Sequence, residues 1–179
     1  MSILAIDTAA SRTSVVIIEN GKVVFSEFRD GAMSHGPALP ELVQAAIKNR
    51  EISQILVGMG PGPYTGLRVG ITFAQTFAWA RNIPIRGFCS LDAIAAQVNE
   101  SDFIVTIDAR RKEVYWARYT NGIRVEGPAV DLPSIVADRG IKVIVSLNPD
   151  PKFFVALSEE FTEPIYLRRP DAVATADRK

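Results

Sequence analysis

Asp7-Thr8 closes the first apolar run of the chain, Ile3–Ile6, and sets a carboxylate and a hydroxyl at the C-terminal end of an expected strand. In α/β sheets that edge is where ligands bind. Asp108 holds the matching place after a later apolar run that starts at Phe103. Two aspartates so placed can hold a metal–nucleotide or act as a base. The alternative is that each is a turn-forming carboxylate satisfied by nearby N–H groups. A second chemically suggestive stretch is Gly58-Met-Gly-Pro-Gly-Pro-Tyr-Thr-Gly-Leu-Arg-Val-Gly70. Such a junction can present N–H groups to a phosphate, or let two helices or chains pack closely. It has no Lys-Ser/Thr after its last glycine, and Gly58, Gly60 and Gly62 miss the dinucleotide spacing. His35 is the only histidine, and an imidazole-built metal site wants two or more. A Ser-His-Asp triad through His35 has no independent support either. Cys89, the single cysteine, rules out an internal disulfide and is expected as a small buried hydrophobe.

The elements that must position these residues follow from periodicity. Apolar runs at Ile3–Ile6, Ser14–Ile18 and Val23–Phe28 predict three strands, with Asn20-Gly21 as a hairpin turn between the last two. Leu39, Leu42, Val43, Ala46 and Ile47 predict a helix starting near Pro37 and Pro40. A strand at Gln54–Met59 leads through the glycine turn into a helix from about Thr65, its expected cap, to Arg81, stopped by Asn82 and Pro84. Ile85–Phe88 predicts a strand, and Ser90–Val98 a helix capped by Ser90. The order βββαβα then repeats more weakly. Strands are expected at Phe103–Asp108, Glu113–Tyr119 and Ile123–Val130, a helix near Ser134–Arg139, a strand at Val143–Ser146 and a helix around Phe153–Glu160. Two similar α/β halves result, residues 1–100 and 101–179, joined near 99–102, the second cut short.

Composition narrows the function. The 179 residues are 47% apolar and 22% charged, ordinary for a globular protein. Basic and acidic residues balance at 20 each, which disfavours tight, direct nucleic-acid binding; Arg110-Arg111-Lys112 is the one visible basic cluster. The N-terminus lacks a basic region and meets Asp7 at once, unlike a signal peptide. No apolar run reaches the ~18–20 residues that span a bilayer. A soluble, cytoplasmic protein is expected.

The helix after the glycine turn is apolar nearly all round. Leu67, Gly70, Ile71, Ala74, Phe77 and Ala78 form one face, and Val69, Phe73 and Ala80 a second, with Trp79 on the otherwise polar stripe. Such a helix is buried on more than one side. The second side meets either its own domain or a partner chain, and Gly66, Gly70 and Ala74 would permit close helix–helix approach there.

These residues resemble the bacterial TsaB (YeaZ) family, which takes part in making threonylcarbamoyladenosine at position 37 of tRNA. The likeness rests on Ile3-Leu-Ala-Ile-Asp-Thr8, Gly60-Pro-Gly-Pro-Tyr-Thr-Gly-Leu-Arg-Val-Gly70, Ser90-Leu-Asp-Ala93 and Tyr166-Leu-Arg-Arg-Pro-Asp171. Pro63-Tyr64 stands where the family has Ser-Phe, and the second half is short for the family. The resemblance implies the actin-like, Hsp70-like, sugar-kinase-like (ASKHA) α/β fold. It also implies a catalytic relative, TsaD, with a metal-binding His-x-x-x-His; here His35 is followed four residues on by Leu39.

The expected function is therefore that of a non-catalytic subunit, with no catalytic or metal-binding residues. It would bind a TsaD-like enzyme, alongside a TsaE-like ATPase, through Leu39, Val43, Ile47, Gly66, Val69, Gly70, Phe73 and Trp79. Alone it would form a two-fold dimer. Asp7, Thr8 and Asp108 would be the vestige of a nucleotide site, with ATP or ADP and tRNA met by the assembled complex. The runner-up is an enzyme, a nucleotide-dependent transferase or a peptidase using Asp7 and Asp108. A self-contained dimeric module outside tRNA modification is a third reading.

Overall fold

A computed structural model describes residues 1–31, 33–145 and 147–168. The chain opens with β1 (Ser2–Asp7), β2 (Arg12–Glu19) and β3 (Lys22–Asp30), two antiparallel pairings in a row. Asn20 and Gly21, at φ 50° and 75°, make the left-handed turn that a two-residue hairpin needs. Asn121 and Gly122 repeat the device at φ 51° and 77°.

Helix α1 (His35–Ala46) returns the chain, and β4 (Ile52–Gly58) then pairs parallel with β1. Pro40 lies inside α1, further in than prolines were expected, and the carbonyl it leaves without a donor belongs to exposed Gly36. Helix α2 (Tyr64–Arg81) follows the glycine turn, and β5 (Ile85–Phe88) completes a five-stranded sheet in the order β3-β2-β1-β4-β5. Pro63, not Thr65, occupies the N-cap of α2, because its extended backbone ends the turn two residues earlier. Asn82, left-handed at φ 51°, stops the helix as expected.

Helix α3 (Ser90–Ala95) is shorter than its apolar pattern suggested. It lies between the two sheets, giving Ala93 to the first and Leu91 and Ile94 to the second. The second sheet has the order β8-β7-β6-β9, from β6 (Asp102–Asp108), β7 (Val114–Thr120), β8 (Ile123–Asp131) and β9 (Val143–Ile144). β9 is two residues long; Ser146, the expected end of that strand, is outside the described residues. Helix α4 (Pro133–Ala137) covers the outer face, where Val136 packs on Ile104 and Trp116.

A 3-10 helix at Pro151–Ala156 replaces the α-helix expected around Phe153–Glu160. The chain then straightens into a strap, because the Phe161 N–H bonds the Gly87 carbonyl at 2.8 Å and the Ile165 N–H bonds the Met59 carbonyl at 2.8 Å. Phe161 and Ile165 pack against the cores of both halves. Arg169, Pro170 and Asp171, the end of the Tyr166–Asp171 motif, lie outside the described residues.

The largest core fills the layer between the first sheet and α1 with α2. Leu4, Ile6, Val15, Ile17, Ile55 and Val57 meet Leu39, Leu42, Val43, Ala46, Leu67, Ile71, Ala74 and Ala78. This is the alternation of β-faces meeting helical stripes that the sequence pattern requires.

Candidate functional site

Asp7 ends β1 with only 1% of its surface exposed. Its Oδ1 accepts the Ala9 N–H at 2.8 Å and its Oδ2 accepts the Ser90 hydroxyl at 2.6 Å. Ser90 therefore serves this carboxylate instead of capping α3, whose N-cap is Cys89. Burial pushes the Asp7 pKa up to about 6, against the lowering effect of the two hydrogen bonds. A side chain at Gly58 would collide with the carboxylate, so β4 presses backbone against it. Asp7 is a satisfied turn carboxylate beneath the surface.

Thr8 is buried as well, and its hydroxyl donates to the Gly66 carbonyl at 2.8 Å. A β-carbon on Gly66 would lie 2.8 Å from the Thr8 carbonyl oxygen, and one on Gly70 would meet Thr8 Oγ1. The small face of α2 exists so that the β1–β2 turn can lie against the helix within the same chain. This corrects the expectation that Gly66 and Gly70 make room for a partner.

His35 is buried at the start of α1, where Nδ1 shares a 2.7 Å hydrogen bond with the Thr13 hydroxyl. Burial lowers its pKa, so the ring is neutral at neutral pH. It ties α1 to β2. Cys89 is fully buried, and burial pushes its thiol up to about 12, as a packing residue requires.

Asp108 ends β6 on the surface and accepts the Arg110 N–H at 2.9 Å. It lines a cleft of about 190 Å³ between the halves, with Ala10, Ser11, Pro63, Ile107, Arg110 and Asn148. Asp7 and Thr8 are not in that lining. Among the described residues, Asp7 and Thr8 are thus buried away from the cleft that Asp108 lines. Ligand pockets usually enclose about 300–1,000 Å³. The β1 carboxylate is sealed beneath Ser90 and has no exposed oxygen to offer a ligand.

The expected partner face divides in two. Leu39 and Val43 are buried in the core, because the apolar stripe of α1 packs on the first sheet. A side chain with no exposed surface has none to offer another protein, and both drop out of the interface. Ile47, Val69 and Phe73 are half-buried, as is Phe77, which stacks on Phe73 with ring centroids 6.0 Å apart. Beyond them Trp79 stands 85% exposed. An apolar edge thus runs along α1 and α2, open to solvent on its outer side.

Sequence reasoning missed the strap. Tyr166 packs against Tyr64 at the start of α2, the rings tilted at 44° with centroids 5.1 Å apart. It also missed the buried cluster where Tyr119 donates to Asp92 at 2.5 Å and Arg124 pairs with Asp92 and Glu159. Burial raises the Asp92 pKa there, although Tyr119 and Arg124 work against it. No local periodicity marks such a long-range cluster.

The first sheet's mixed order, with antiparallel β1–β2–β3 and parallel β4 and β5, and its truncated echo define an ASKHA-fold protein with a sealed β1 carboxylate. The family model described as TsaD, tRNA N6-adenosine threonylcarbamoyltransferase, matches residues 32–146. TsaB of Escherichia coli is 35% identical over 153 residues, covering 78% of this chain and 66% of that protein; TsaB of Bacillus subtilis is 34% identical over 132 residues, covering 69% and 58%. An uncharacterised Mycobacterium leprae protein is 38% identical over 99% of this chain, which spans 58% of its length. A solved Pseudomonas aeruginosa structure, described as similar to peptidase YeaZ, superposes with a TM-score of 0.78 at 23% identity, covering 93% of this chain and 99% of that one. The chain belongs to the TsaB (YeaZ) family within the TsaD-like group. It spans little more than half the length of several of the relatives it matches.

Proposed function

We propose that the chain is a non-catalytic subunit for threonylcarbamoyladenosine modification of tRNA, binding and supporting a TsaD-like catalytic subunit. The relatives in Escherichia coli and Bacillus subtilis are named tRNA threonylcarbamoyladenosine biosynthesis proteins. The observation that carries the proposal is the exposed apolar edge of α1 and α2. Trp79 is 85% exposed on a helix whose other face is wholly in the core. An interface of standard size would bury ~1,200–2,000 Å² in all, centred on Ile47, Val69, Phe73, Phe77 and Trp79. Without the partner, the same edge closes on a second copy as a two-fold dimer.

In this reading the chain works in the cytoplasm and holds no nucleotide alone. ATP or ADP belongs to the assembled complex, together with a TsaE-like ATPase. The sealed Asp7 carboxylate supports that division of labour. The test is co-purification with the TsaD-like chain, followed by an in vitro tRNA modification assay with and without this subunit. Modification that needs the subunit, in stable complex, is the expected result; full activity without it refutes the reading. Asp7→Ala separates the catalytic alternative, which requires loss of modification with the complex intact.

A further inference from the structure

The face of the first sheet that turns away from α1 and α2 is covered along only part of its length. Ala5, Val16, Ile18 and Leu56 lie on it, and Ala93 of α3 and Phe154 of the 3-10 helix close over them. Further along β2 and β3 that cover stops, and a cavity of about 330 Å³ opens. Its sheet wall follows the cross-strand pairs Ser14–Phe28 and Val16–Ser26, with Arg12 at the end. Residues 147–151 and Gln97 form the opposite wall. The volume reaches the range of ligand pockets, about 300–1,000 Å³.

Only 7% of Ser14 is exposed, yet its hydroxyl has no hydrogen-bond partner among the described residues. Asp7, its neighbour across β1, commits both oxygens to Ala9 and Ser90 and is outside the lining. A hydroxyl withdrawn from water and left unpaired is costly, and folded proteins keep few of them. This one borders the cavity, so a molecule lodged there would satisfy it. More unused hydrogen-bonding capacity meets at the same place. Among the described residues, the Ser26 hydroxyl and the Asn148 side-chain amide also have no partner. Gln97 Nε2 donates to the Ala93 and Asn148 carbonyls at 2.8 and 3.0 Å, which leaves its Oε1 open. The charges of the described lining are already matched. Arg12 forks onto Asp30 at 2.8 and 3.1 Å, Asp150 pairs with Lys152 at 2.7 Å, and Glu27 lies 3.8 Å from Arg29. Phe28, Leu147, Pro149 and Pro151 supply apolar surface between the polar groups.

We propose that this cavity binds a neutral polyhydroxylated ring, either a monosaccharide or the ribose of a nucleoside. Each ring hydroxyl both donates and accepts, which matches serine hydroxyls and side-chain amides that do the same. The apolar walls take the C–H faces of such a ring. With Arg12 already forked onto Asp30, the described lining offers a phosphate no unpaired cation. The cavity spans β2 and β3 of the first half and the segment after β9 of the second, so an occupant ties the two halves together. This site goes beyond the tRNA-modification reading and is separate from the Trp79 edge, which belongs to α2 across the sheet.

The test is an NMR titration of the isotopically labelled full chain with D-ribose, D-glucose and adenosine, read from the backbone amides of Ser14, Ser26 and Asn148. A thermal melt is recorded at each endpoint. Saturable shifts at those amides, with a Kd of about 10 mM or tighter, are expected. The melting temperature should rise with ligand concentration. Tighter binding of adenosine than of D-ribose assigns the site to a nucleoside, and the reverse assigns it to a free sugar. Ser14→Ala deletes the unpaired hydroxyl and no protein contact. It is expected to weaken binding about five-fold or more, with the melting temperature of the free chain unchanged or higher.

A cavity that holds water alone gives no saturable shift with any of the three compounds, and that result overturns the inference. Unchanged affinity in a folded Ser14→Ala variant overturns it as well. So does tighter binding of AMP than of adenosine, because a phosphate would then be drawing on a cation. Each of these results leaves the partner-subunit reading untouched, since that stands on co-purification.

Discussion

Trp79→Ala, set beside Leu39→Ala, tests where the partner surface ends and the core begins. Trp79 lies near the end of α2 with 85% of its surface in water, so the folded chain gains little from it. A Trp side chain carries ~200 Å² and about 170 Å² of it is free, worth about 4 kcal/mol at 25 cal/mol per Å² if a partner covers it completely. Partial coverage brings the expected loss to about 2–4 kcal/mol, or roughly 30- to 1,000-fold in Kd. Monomer stability should move by less than about 0.5 kcal/mol. Leu39→Ala reverses the pattern. Leu39 is fully buried beneath α1, and the truncation should cost about 2–5 kcal/mol of folding stability. The affinity of the molecules that remain folded should be unchanged. Calorimetric titration with the TsaD-like chain and urea unfolding of each variant measure the two quantities separately. Unchanged affinity in a folded Trp79→Ala variant refutes the assignment of this edge, and a specific affinity loss in Leu39→Ala shows that the core and the interface overlap.

Two further perturbations read the β1 end. Asp7 has a folded-state pKa of about 6 against 3.8 for the free group, so the folded chain binds more protons between those values. Stability should fall by about 3 kcal/mol as pH rises from about 4 to about 6, then level off. Urea titrations across that range should show the slope in the parent chain and its loss in Asp7→Asn; an identical slope in both excludes Asp7 as its source. Gly70→Ala pushes a β-carbon onto Thr8 Oγ1 and should lower stability by about 1–3 kcal/mol by overpacking. A thermal melt that rises, as helix propensity alone would dictate, refutes that contact.

Local signals carried most of the element order. Asn20-Gly21 and Asn121-Gly122 placed both hairpins, and the spacing of Leu39, Leu42, Val43 and Ala46 placed α1 with its buried stripe. What failed were inferences about what each face touches. An α-helix presents Gly66 and Gly70 identically whether a neighbouring turn or a foreign helix fills the space. Only the tertiary path of Thr8 decides between them. The same blindness covers Asp7, whose strand-end position suggests a ligand until Ser90, 83 residues away, appears on its Oδ2. Leu157–Arg168 has no periodicity to read, because it is held by single backbone bonds and a few rings, not by a repeating face.

That strap also governs how the molecule is assembled in time. Phe161 and Ile165 finish cores whose other members begin at Leu4, and their N–H groups bond carbonyls at Gly87 and Met59. A fragment stopped near residue 100 would expose the apolar seam that these two side chains close. Both cores are therefore completed only by residues beyond 160. Unfolding should accordingly be a single cooperative event, in which releasing the strap unseals both sheets together.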